Sequence, residues 1–182
     1  MTAEEKLNSE GEVIGLLRKE KSHLHDNATT DHSKIERKET KARRAISGVV
    51  AFYAYMRHTE VNPGPHHTLI FDVPVTNVGG GYNHYSGTFT VPSAGVYVFS
   101  WTIACSNGGY IYSEIVVNAD DIGGILTNCD TSKGRLSTTG LVVKEMNAGD
   151  VHVRTAPPPG PVGDIESLTP HERTSFSGWK LV

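Results

Sequence analysis

The side chains that could bind or transform something lie where turn residues gather. Asp164, Glu166, His171 and Arg173 share one segment, and Tyr110 and Tyr112 follow Asn107-Gly108-Gly109. Aromatic faces beside hydrogen-bonding groups suit sugars, because a ring covers the apolar sugar face while polar groups take the hydroxyls. Arg173 could pair with a carboxylate such as that of a sialic acid. The plainer readings are that the two tyrosines pack within a strand and that Arg173 is simply solvated. Asp120 and Asp121, in the turn Asn118-Ala119-Asp120-Asp121, offer the hard oxygen ligands that calcium takes. An ordinary β-turn rich in Asn and Asp is the plainer account of them. No cofactor is required.

Patterns for catalysis are missing. There is no G-x-S-x-G nucleophile turn, and His171-Glu172 runs on into Arg173, Thr174 and Ser175, so an H-E-x-x-H zinc motif is never completed. Gly79-Gly80-Gly81 lacks the Lys-Ser or Lys-Thr pair and the following helix of a phosphate loop. His66 and His67 are adjacent, and adjacent strand residues point to opposite faces, so they do not clasp one ion together. Cys105 and Cys129 are the only cysteines, without zinc-like spacing. A buried free thiol is the ordinary reading of Cys105, and a Cys105–Cys129 bridge is the sharper one in an oxidising compartment. The chain reads as a non-enzymatic protein.

Charge narrows the partners. Residues 1–45 hold ten Lys or Arg against nine Asp or Glu, whereas residues 46–182 hold seven against eleven. A mildly acidic domain is a poor nucleic-acid surface. No apolar run approaches membrane-spanning length, so membrane insertion is not expected. Met1 to Lys21 is charged throughout and shows no secretory core, which leaves a cytoplasmic chain or one whose leader was removed.

One stretch must position these groups. The 41 residues from Val73 to Ser113 contain no Asp, Glu, Lys or Arg. A half-exposed antiparallel strand normally alternates apolar with polar, so strands without charge on either face call for cover on both. From Gly95 to Cys105, Tyr97, Phe99, Trp101, Ile103 and Cys105 fall on one side, and Val96, Val98, Ser100, Thr102 and Ala104 on the other. The large row suits the interior of a sandwich, and the small row would let a second copy approach closely without burying charge. Homo-oligomerisation is the expectation. Around this strand the signals are short strands separated by turns: near Val49–Met56, Thr68–Val75, Phe89–Val91, Tyr110–Val117, Gly123–Leu126, Leu136–Glu145, Val151–Ala156 and Ser175–Val182. With a long irregular loop between the last two, about ten strands predict an all-β, two-sheet jelly-roll sandwich over residues 46–182.

Phe71, Asn77, Tyr82, Phe89, Gly95, Tyr97, Phe99 and Trp101 occur in this order at a spacing that resembles the signature of the complement C1q globular-head family, within the tumour-necrosis-factor-like superfamily. Ala51-Phe52, Gly149-Asp150 and the ending Ser175 to Val182 are similar too, and Trp101 stands where the family usually has Phe or Tyr. The resemblance implies a jelly roll, three heads around a threefold axis with both termini at the base, and secretion. Val96, Val98, Ser100, Trp101 and Trp179 are then core or trimer-interface positions. Some members hold calcium near the trimer apex with two aspartates. Asp130 matches the first, but the second position falls near Arg135 and Leu136, which supply no anionic oxygen. The function implied is a homotrimer that binds carbohydrate or microbial surface molecules in innate immunity. A trimeric ligand for a protein receptor and a structural self-assembling protein are the alternatives.

Residues 1–45 read as a stem. Thr2 with Glu5 and Ser33 with Glu36 are spaced as helix-opening capping boxes, and Leu7, Ile14, Leu17, Leu24, Ile35, Ala42 and Ala45 keep one heptad register. Polar seam residues and Gly11 and Gly15 weaken that pattern, which leaves a weak coiled coil or a disordered tail. Asn27-Ala28-Thr29 is a glycosylation acceptor triplet that matters only in a secreted chain. No Gly-X-Y collagen repeat is present.

Overall fold

A computed structural model of the chain describes residues 15–16, 18–21, 48–106, 108–129, 134–147, 149–157, 162–168 and 171–182. The chain separates into two units, Met1–Ser47 and Gly48–Val182. In the first, residues 15–16 and 18–21 are helical. The two capping boxes, Asn27 and the seam residues lie outside the described residues, as do Asn107 and Asp130.

The second unit holds eleven strands among the described residues: β1 (Ala51–Tyr55), β2 (Val73–Val78), β3 (Tyr82–Asn83), β4 (Thr88–Thr90), β5 (Gly95–Ser106), β6 (Tyr110–Val117), β7 (Asp120–Asn128), β8 (Arg135–Met146), β9 (Asp150–Thr155), β10 (Ile165–Glu166) and β11 (Ser175–Lys180). They form two antiparallel sheets. In the first, β5 lies between β8 on one edge and β11 and β10 on the other, and β1 and β2 continue from β11. The second runs β3, β4, β9, β6, β7. This is the two-sheet, nearly all-β sandwich that the strand pattern predicts. Of the eleven, β3 and β10 have no counterpart among the ranges placed from sequence, because at two residues each they are too short to show a period.

The inner row of β5 fills the space between the sheets: Tyr97, Phe99, Ile103 and Cys105 are fully buried and Trp101 is 1% exposed. Phe52 of β1 stacks on Tyr82 at 4.9 Å and on Phe89 at 4.6 Å, and meets the edge of Phe176 at 4.8 Å. Such aromatic pairs add to the burial of their large apolar surface. The remaining signature residues secure this core. Asn77 grips the backbone of Tyr82 from both sides: its Nδ2 donates to the Tyr82 carbonyl at 2.9 Å, and the Tyr82 N–H donates to its Oδ1 at 3.1 Å. The Tyr82 hydroxyl donates to the Phe71 carbonyl at 3.0 Å, and burial pushes this phenol above its ordinary pKa range, so it stays a neutral donor. A side chain on Gly95 would collide with the carbonyl of Val182, because the C-terminal segment pairs there with Val96.

Three expectations are corrected. A single strand from Thr68 to Val75 is not formed, because the segment crosses between sheets: Leu69 donates to Val153 of β9, whereas Val73 onward pairs with β1. The turn placed at Asn118 to Asp121 is tighter, with only Asn118 and Ala119 in it, both at positive φ, and Asp120 and Asp121 open β7. Cys105 is no free thiol: it is bonded to Cys129 with an S–S distance of 2.09 Å, tying the end of β5 to the residue after β7. Composition could not choose between thiol and bridge, since the choice depends on the approach of strands 24 residues apart.

Candidate functional site

The first sheet has two distinct ends. At one, β1 starts, Gly95 pairs with Met146, and the last residues close over Val96. At the other lie Tyr55, Ser106, Arg135 and Ser175. Here a cleft of about 430 Å³ is lined by Arg135, Ser137, Leu168, His171, Glu172 and Arg173. Its wall is held in place by buried polar groups. The Thr174 hydroxyl donates to the Glu166 carbonyl at 2.6 Å and accepts from the Ala104 N–H at 3.0 Å. Leu168 and Glu172 exchange two backbone bonds, 2.6 and 2.8 Å, which close the loop that carries His171. The Ser167 hydroxyl donates to the Met56 carbonyl at 2.5 Å.

Within the cleft, the guanidinium of Arg173 lies over the Tyr55 ring, its central carbon 4.1 Å from the ring centroid. Its buried Nε has no hydrogen-bond partner among the described residues. Arg135 Nε stands 3.9 Å from Glu172 Oε2, beyond direct hydrogen-bonding range. The arrangement joins two cations, one carboxylate, an imidazole, a hydroxyl and an apolar wall.

Of the six residues read from sequence as ligand-binding, the structure brings His171 and Arg173 together here. Asp164 and Glu166 fasten the long loop: Asp164 accepts from the Asn62 N–H at 3.0 Å, and Glu166 accepts from Thr59 at 3.1 Å and from Ser106 at 2.5 Å. Tyr110 and Tyr112 stand on the other sheet, edge to face at 5.7 Å, with Tyr112 opposite Leu126 and Tyr110 paired through its backbone with Val162. Sequence reasoning missed Arg135, Ser137, Leu168 and Glu172 as partners of His171; Leu168 and Glu172 lie in its own segment, whereas no spacing rule joins it to Arg135 and Ser137. It also missed Arg154, which donates to Glu114 at 2.6 Å and to Asp121 at 2.8 Å. The bond to Glu114 holds this guanidinium above its ordinary pKa. Glu114, the first charge after the uncharged stretch, was the available signal.

Of the calcium candidates, Asp121 is therefore committed to Arg154, and Asp120 is exposed at the start of β7. No group of three potential metal ligands occurs among the described residues. His67 pairs with Glu60.

The residues placed at an interface divide by face. Trp101 is core, its Nε1 donating to the Ser113 hydroxyl at 3.1 Å. Val96, Val98 and Ser100 face the other way, with Trp179 directly opposite Val98. The same outer face carries Tyr53 and Tyr55 from β1, Ser177 from β11, and Thr139, Leu141 and Val143 from β8. Leu141 is 60% exposed, Val143 58% and Trp179 38%. Along β8 the charges on this face stand at its ends, Arg135 and Glu145. No helix among the described residues is long and apolar enough to cross a membrane.

A sequence profile of the C1q domain matches residues 51–181. Multimerin-1 of Mus musculus is 36% identical over 82 residues, 45% of this chain and 6% of that protein, so the chain spans only a small part of this curated relative. The globular domain of zebrafish complement 1qA protein superimposes with a TM-score of 0.58 at 16% identity, covering 73% of this chain and 98% of the other. Eiger TNF from S. frugiperda gives 0.54 at 14% identity, covering 74% and 92%, and murine APRIL gives 0.52 at 14%, covering 73% and 99%. At such identities these structures share a fold with this chain and nothing narrower. With the profile spanning most of its length and the signature residues packed as described, the chain belongs to the C1q domain family.

Proposed function

We propose that this protein is a secreted, non-enzymatic recognition module that works as a homotrimer and binds carbohydrate or other microbial surface ligands in innate immunity. Residues 46–182 are the recognising head and residues 1–45 a stem, whose three copies pair at the high local concentration that trimeric heads impose. One observation carries the reading. The outer face of the first sheet sets Leu141, Val143 and Trp179 in water around the small residues Val96, Val98 and Ser100, with no charge among them. A contiguous apolar patch of this kind marks an interaction surface, and its small central row suits close approach by identical neighbours. Each head then binds its ligand weakly, and three heads on one base gain avidity on a repetitive surface. The Cys105–Cys129 bond supports a secreted protein, since such bonds persist in oxidising compartments.

A glycan array probed with the wild-type chain and a Leu141→Glu variant tests this. Leu141 is exposed in the single chain, so the substitution spares the fold while placing charge between copies. Array signals that the variant loses while keeping its melting temperature support the reading. A silent array together with tight capture of a protein ectodomain would make the chain a receptor ligand instead. Silence on both counts would leave only self-assembly.

A further inference from the structure

We propose that the cleft between the start of β8 and the loop before β11 is a binding site for one oxyanion, the carboxylate or sulfate of an acidic saccharide. This rests on the recognition reading for the saccharide, and on the cleft alone for the anion. Residues 46–182 carry eleven acidic side chains against seven basic ones, yet among the described residues two of the seven line this one cleft with a single carboxylate, Glu172.

Neither arginine is hydrogen-bonded to a carboxylate among the described residues. Arg154 shows what a satisfied arginine looks like in this fold, with carboxylates at 2.6 and 2.8 Å. Among the described residues Arg135 has only Glu172, at 3.9 Å, and Arg173 has only the face of Tyr55. The ring holds the Arg173 guanidinium in a fixed plane, so little side-chain freedom is left to lose when a ligand docks. Its Nε is buried and has no hydrogen-bond partner among the described residues. Buried polar groups in that condition are uncommon and point to a missing ligand or water. A planar guanidinium with open donors matches a carboxylate or sulfate through paired hydrogen bonds.

The rest of the lining fits what such a group would be attached to. The hydroxyl of Ser137, the His171 ring and the Glu172 carboxylate can exchange hydrogen bonds with sugar hydroxyls, and Leu168 offers an apolar wall. The volume falls within the roughly 300–1,000 Å³ of small-ligand sites.

The test is a calorimetric titration of the full chain at constant ionic strength with sodium sulfate, glucuronate and glucose. Sulfate or glucuronate should bind where glucose does not, and whichever binds tighter identifies the oxyanion. Arg173→Met, which keeps the contact with Tyr55, and the exposed-site variant Arg135→Gln should each weaken binding by about tenfold or more, the loss expected for one charge-assisted hydrogen bond. Unchanged affinity in both folded variants, or equal binding of glucose, would overturn the proposal. Oxyanion binding with a silent glycan array leaves the cleft standing and removes the saccharide. Array binding of neutral glycans that ignores both variants does the reverse.

Discussion

Gly140 sits directly across from Trp101 in the β5–β8 pair, and that contact sets a stability prediction that the fold must meet. A Cβ built on Gly140 would lie 2.6 Å from both Cη2 and Cζ2 of the indole and 2.8 Å from Cζ3. The indole has nowhere to go: it is 1% exposed, bonded to Ser113 at 3.1 Å, and enclosed by the second sheet. Gly140→Ala therefore over-packs the core and should destabilise the domain by about 2 kcal/mol, within the roughly 1–3 kcal/mol typical of inserted methyl groups. For a domain of this size that is a fall in melting temperature of about 6–8 °C. Trp101→Phe alone leaves a void and a bare Ser113 hydroxyl, and should also destabilise. In the double variant the smaller ring makes room for the methyl, so the two losses should fall short of their sum by at least about 1 kcal/mol. Urea denaturation followed by far-ultraviolet circular dichroism measures all four corners of the cycle. A Gly140→Ala protein that melts with the wild type, or strict additivity, would refute this packing. The contact matters beyond stability, because the same strands turn Leu141, Val98 and Ser100 outward.

Other outcomes follow from particular contacts. Replacing Cys105 and Cys129 with Ala, or reducing the bond, should cost about 3.5 kcal/mol from the loop of 24 residues it closes, read as a lower urea midpoint; an unchanged midpoint would contradict the bond. His152 is held below the ordinary histidine pKa by burial and then by Arg154, so the unfolded chain takes up this proton first. The stability tied to its neutral form is therefore fully present above the ordinary histidine value of about 6.5 and is lost as the pH falls from there through the lower value in the folded chain. Comparing urea midpoints at pH 7.5 and 5.5 should show a smaller drop in His152→Gln than in the wild type, and equal drops would exclude the assignment.

What could be read in advance was local. β5 announces itself because the aromatic residues Tyr97, Phe99 and Trp101, followed by Ile103 and Cys105, alternate with smaller ones, and that row is the buried one. The signature residues are legible for a related reason: Asn77 grips Tyr82, and Tyr82 bonds Phe71, over separations of five and eleven residues. These same bonds explain why the signature reveals a fold and not a ligand, since each of those polar groups is consumed inside the domain. The segment from Thr68 was misread because nothing in its composition shows that Leu69 serves one sheet and Val73 the other. The cleft was half visible. His171 and Arg173 are neighbours in sequence, whereas Arg135 and Ser137 reach them only because β5 holds β8 on one edge and β11 on the other.

The claim on which the functional account rests is that the uncharged middle of the first sheet's outer face, around Leu141, Val143 and Trp179, is covered by sister copies, while the cleft at the Arg135 end stays outside that contact. Sedimentation equilibrium at micromolar concentration tests it most directly, with the wild type and Leu141→Glu run side by side. Three copies of the 19.7 kDa chain, about 59 kDa, are expected for the wild type, and a single folded chain for the variant. A wild-type particle of 19.7 kDa, stable and monodisperse with Leu141, Val143 and Trp179 in water, would contradict the account.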